Sequence, residues 1–142
     1  MINQINLLTS PLKNKIAVID TNLLLVYLVG CVDPQLIIKF KKTSSRYCVE
    51  DFTILDELLG SFNKFITTPN ILTEVSNLGG QLSGKNKGYF FAVLSAFIQK
   101  TTEKYIHSSE IAKDNLFIKY GITDRGLLEL ARTDRPSDGV VV

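Results

Sequence analysis

The chain has 142 residues, 45% of them hydrophobic and 21% charged. These figures describe one globular domain with enough apolar material for a core, and they exclude disordered, collagen-like and coiled-coil classes. Sixteen Lys and Arg against 14 Asp and Glu give a formal charge of +2. So small an excess neither demands nor excludes nucleic acid, and any partner has to be argued from a local patch.

Met1 to Lys15 lacks the basic start, apolar stretch and small-residue cleavage site of a secretion signal. The longest uncharged apolar run, Leu23 to Val32, is about half of the ~20 residues that cross a bilayer. Cys31 and Cys48 are the only cysteines, and their spacing matches no metal or redox motif. A cytoplasmic protein with no membrane contact and two buried free thiols is the expectation.

Lys15 to Asp20 is a β-rich apolar run without alternation, the pattern of a strand covered on both faces in a parallel sheet. Thr21-Asn22 offers an N-cap for a helix through Leu23–Leu28 that ends near Gly30. Pro34 opens a second helical stretch finishing in Lys39-Phe40-Lys41-Lys42, and Phe52, Leu55, Leu59 and Phe62 predict a third helix over 51–64. A short strand, Phe65 to Thr68, leads to a helix begun by Pro69 that carries Glu74. Gly79 to Gly88 reads as a loop, Tyr89 to Gln99 as an apolar helix and Lys104 to Ile106 as a weak strand. Ser108-Ser109 caps a helix to about Tyr120, Thr123 caps another over 124–132, and Gly139 to Val142 opens a last strand. Alternating strands and helices predict a single α/β domain, a three-layer α/β/α sandwich on a central parallel sheet.

Three acids share one logic. Asp20 ends the first strand, Glu74 lies one to two turns into the helix after the second, and Asp124 starts a helix entered through Gly121-Ile122-Thr123. In a parallel sheet, strand ends and the helix starts that follow them lie along one edge, where ligands bind. Converging carboxylates repel, and a hard cation such as Mg²⁺ or Mn²⁺ relieves that repulsion. It also activates water and stabilises charge on a phosphate under attack.

Ile16-Ala17-Val18-Ile19-Asp20-Thr21-Asn22 resembles the opening strand and Asp-Thr-Asn signature of PIN domains. Thr68 to Glu74 looks like the second acidic block of that family, and Gly121 to Ala131 is similar to its third. The resemblance runs from about Lys15 to Val142, with the blocks in the family's order. It implies a metal-dependent ribonuclease in which Asp20, Glu74 and Asp124 bind Mg²⁺ or Mn²⁺. Asn22 and Thr123 would orient the acids or touch the scissile phosphate, and Arg125 is placed to meet a phosphate. In-line attack by activated water would leave a 5′-phosphate and a 3′-hydroxyl. Small stand-alone members are toxins held inactive by an antitoxin, so an antitoxin-like protein partner and a homodimer are implied beside the RNA substrate.

The sequence departs from the family at a fourth acid, which belongs just beyond the strand at Gly139–Val142. Asp134 and Asp138 both precede that strand and are poor substitutes. The expectation is a domain one element short at its C-terminus and a weak or inactive nuclease. The alternative is a catalytically degenerate PIN domain serving as a protein- or RNA-binding module.

Other features read as structural. Asp20 alone could be a helix cap, and Asp124 is favoured by a helix dipole without any function. Gly79 to Asn86 nearly spells a Walker A loop, but Asn86 stands where Ser or Thr is needed to hold Mg²⁺. His107, the only histidine, has no triad around it.

Overall fold

The structure, a computed structural model, describes residues 16–113 and 139–141. Within them the chain forms strand β1 (Ile16–Val18), helices α1 (Thr21–Val32), α2 (Leu36–Lys39), α3 (Lys41–Ser44) and α4 (Val49–Leu59), and strand β2 (Lys64–Thr67). Helices α5 (Pro69–Gly79) and α6 (Lys85–Lys100), strand β3 (Thr102–Glu103), the single turn α7 (Ser108–Ile111) and strand β4 (Gly139–Val141) follow.

The sheet is parallel, in the order β3-β2-β1-β4. Val18 pairs with Ile66 on one side and Val141 on the other, while Thr67 pairs with Glu103. Successive strand residues face opposite sides of a sheet, yet Ile16, Ala17, Val18 and Ile19 are all buried. Both faces of β1 are therefore covered, which is why its sequence shows no alternation. The α/β fold with helices packed on a parallel sheet is as the sequence predicts.

The steps from β1 to β2 and from β2 to β3 run in the same direction across the sheet. Right-handed crossovers place the helices of both connections on one face, and α1 accordingly packs against α4, α5 and α6. The core there is built from Leu24, Leu25, Leu28 and Val29 of α1, Ile71 and Val75 of α5, and Phe90 and Leu94 of α6. Strand β4 lies on the far side of β1, so the direction of winding reverses at β1.

Several element ends differ from the sequence expectation, each for a local reason. Asp20, not Thr21 or Asn22, occupies the N-cap of α1. That helix continues through Gly30 to Val32, and the Phe52 ring packs where a Cβ on Gly30 would sit. The helix predicted over 51–64 is α4, shifted towards the N-terminus. It starts at a box in which the Asp51 carboxylate accepts the Cys48 N–H (2.8 Å) and the Cys48 thiol (3.3 Å). The loop predicted over 79–88 is only a few residues long: Gly84, at φ +59°, turns the chain directly into α6, so Lys85 and Lys87 are helical. The third strand is Thr102–Glu103 rather than Lys104–Ile106. Both cysteines are free, but they are exposed, not buried as expected. Cys31 lies near the end of α1 and Cys48 just outside α4, both off the faces that enter the core.

Thr68, buried at the N-cap of α5, accepts the Ile71 N–H at 3.2 Å. Thr68→Ala removes that bond and is expected to cost about 1 kcal/mol. The check is a lower urea midpoint at an unchanged slope. Among the described residues no helix is long and apolar enough to cross a membrane.

Candidate functional site

In open α/β sheets, ligands bind beyond the carboxyl ends of the strands, at the point where the winding reverses. Here that point is the end of β1, and the residue standing there is Asp20. Its backbone is extended (φ −62°, ψ 148°), and its carbonyl accepts the first helical bond of α1, from the Leu24 N–H at 2.9 Å. Its carboxylate makes no capping hydrogen bond. An Asp at an N-cap ordinarily accepts from the backbone two or three residues on, so the capping explanation of this residue fails. Asn22 follows, exposed in the first turn of α1. Neighbouring strands are about 4.8 Å apart, so α1 and α5 leave the sheet side by side.

Glu74 is exposed, the sixth residue of α5. At 1.5 Å per residue it sits roughly 7–8 Å along the helix from Pro69, set back from the strand ends. Asp124, Thr123 and Arg125 lie outside the described residues, as do Asp134 and Asp138. Among the described residues, no three His, Cys, Asp or Glu side chains come together as a metal-ligand group. The predicted set is thus represented by Asp20, Asn22 and Glu74, on two helices that pack against each other.

Two buried hydroxyls at this end were not among the site residues predicted from the sequence. Thr21 and Thr67 are 6% and 2% exposed, and neither hydroxyl has a hydrogen-bond partner among the described residues. A buried hydroxyl without a partner costs about 1–3 kcal/mol, and one of the two is adjacent to Asp20. The only cue in sequence was their place at two strand ends, which is also where ordinary caps occur.

No protein family, curated protein or solved structure matches the chain. Its functional reading therefore rests on the residues and their placement.

A cavity of about 210 Å³ lies away from the strand carboxyl ends. Its lining comes from the end of α1 (Tyr27, Cys31), the start of β2 (Phe65) and the end of α6 (Phe97, Lys100). Burial, then the neighbouring Cys31 and the Asp56 charge, push the Tyr27 phenol up from 10.0 to about 12. Cys31 is exposed as a residue, yet partial burial of its thiol also raises it. Tyr27 in the folded chain thus holds its proton where the unfolded chain has lost it. The stability this contributes is fully present below pH 10 and is lost as pH rises towards 12. Tyr27→Phe, which has no phenol to titrate, is expected to show a shallower fall in urea midpoint between pH 10 and 12.

Proposed function

We propose that the chain is a PIN-type ribonuclease dependent on Mg²⁺ or Mn²⁺. Asp20, Glu74 and Asp124 are its ligating acids, and Asn22, Thr123 and Arg125 support the scissile phosphate. The observation that carries this reading is Asp20, a carboxylate at the reversal point of a parallel sheet that takes no part in capping its own helix. The donors fit such an ion, because carboxylate and hydroxyl oxygens are what a hard cation binds, and Thr21, next in sequence to Asp20, has a buried hydroxyl with no hydrogen-bond partner among the described residues. When bound, the cation supplies activated water and neutralises charge at the phosphate.

The protein's own groups supply the rest. Asp20 would hold the cation at the strand end, and Asn22, exposed two residues further on in the first turn of α1, would donate its amide to a phosphate oxygen. The positive end of the α1 dipole favours the same anion. An antitoxin-like partner, a homodimer and a cytoplasmic location belong to the same proposal.

The test is cleavage of an end-labelled single-stranded RNA pool with Mn²⁺ or with EDTA. Weak cleavage in Mn²⁺ alone, yielding 5′-phosphates, is expected, because Asp20, Glu74 and Asp124 act without the family's fourth acid. Absence of cleavage by a chain shown to be folded would overturn the enzyme and favour the binding module.

A further inference from the structure

Tyr105 is 70% exposed, the most exposed large hydrophobic side chain among the described residues. A single exposed aromatic needs no explanation by itself, but the setting of this one is specific. The residue before it is tied to the sheet, since the Lys104 N–H donates to the Thr67 carbonyl at 2.8 Å. The residue after it, Ile106, packs on the core, and Ile111 of α7 is buried. The Tyr105 ring is therefore held out from an anchored segment. His107 flanks it edge to face, with ring centroids 4.9 Å apart at 76°. Beside the ring a crevice of about 30 Å³ is lined by Thr68, Asn70 and Ser108, the polar residues that open α5 and α7.

All of this lies at the carboxyl end of β2 and β3, on the same edge as Asp20. Two strand spacings separate β1 from β3, so the end of β3, two residues before Tyr105, lies roughly 10 Å to the side of the end of β1. Proteins that bind single-stranded RNA stack unpaired bases on exposed aromatic rings and read base edges with nearby amides and hydroxyls. The nearby ionic groups are of mixed sign, and Lys113 pairs with Glu110 at 2.8 Å. A ring, an amide and a hydroxyl without a basic cluster suit a base better than a phosphate.

We infer that Tyr105, flanked by His107, is a stacking platform for an unpaired RNA base close to the scissile phosphate, with Asn70 and Ser108 contacting that base's edge. The inference rests on the ribonuclease reading and adds to it the part of the substrate that the acids do not touch.

The chain contains no Trp, so Tyr105→Trp places a single indole at the proposed contact. Titration with oligouridine in Ca²⁺ is expected to quench its emission saturably. Tyr105→Ala is expected to weaken binding, or to raise KM at unchanged kcat in Mn²⁺, by about 5- to 150-fold, the factor corresponding to one stacked base. Tyr105→Phe should restore it, and the salt dependence of binding should stay the same, because no phosphate contact is removed. Equal affinity and KM for Tyr105→Ala, with undisturbed indole emission, would overturn the platform and leave the nuclease standing. If the folded chain shows no binding in Ca²⁺ and no cleavage in Mn²⁺, the ribonuclease reading is overturned, and the platform with it.

Discussion

Asp20→Asn is expected to lower Mn²⁺-dependent RNA cleavage by at least about 10²-fold, the scale on which removal of one preorganised charge-stabilising group is felt. Folding stability is expected to change by no more than about 1 kcal/mol. The two readouts together separate function from structure. Asn keeps the size and capping competence of Asp, and the Asp20 carboxylate makes no capping bond that could be lost. What the substitution removes is a negative charge at a helix N-terminus, worth about 0.3–1 kcal/mol, and one anionic oxygen donor. A residue kept for its helix would show the reverse, with activity intact and the urea midpoint lowered by Asp20→Ala. Cleavage by Asp20→Asn at the rate of the parent chain would remove Asp20 from the site. It would also leave the reversal point of the sheet without a chemical role.

The parallel sheet was legible because β1 has no alternation, and Ile16 to Ile19 are buried on both faces as that pattern requires. Asp20 and Glu74 were legible as candidates because they follow the two strands that pair at the centre of the described sheet. What sequence could not show was which residue caps α1. Asp20, Thr21 and Asn22 are all good N-cap types, and only backbone geometry assigns the position to Asp20 and leaves its carboxylate out of the cap. The shortness of the loop after α5 was hidden for a similar reason. A glycine- and lysine-bearing stretch reads as a loop, while the left-handed conformation of Gly84 lets α6 start at Lys85. Tyr105 was read as part of a strand; β3 ends at Glu103, and the ring belongs to the connection that follows. Exposure is a property of the packed chain, so the exposed positions of Cys31 and Cys48 were equally out of reach of composition.

The largest effect on stability is expected at Phe90. Its side chain is completely buried, and its ring packs against Gly79 of α5. Phe90→Ala is expected to cost about 3–5 kcal/mol, the loss of a buried ring plus the cavity left behind. In a domain whose total stability is on the order of 5–15 kcal/mol, that brings the chain near unfolding at 25 °C. The contact with Gly79 makes the cause testable. A Cβ on Gly79 would overlap the Phe90 ring, so Gly79→Ala alone is expected to destabilise by about 1–3 kcal/mol through overpacking. When the ring is absent the added methyl meets no obstacle and partly fills its space. The double variant Gly79→Ala with Phe90→Ala is therefore expected to be more stable than the sum of the two single losses predicts, by about 1 kcal/mol or more. Urea unfolding of the four chains measures this coupling. Strict additivity would mean that the ring does not rest on Gly79. The α5–α6 packing, and with it the position of Glu74 relative to α1, would then need a different support.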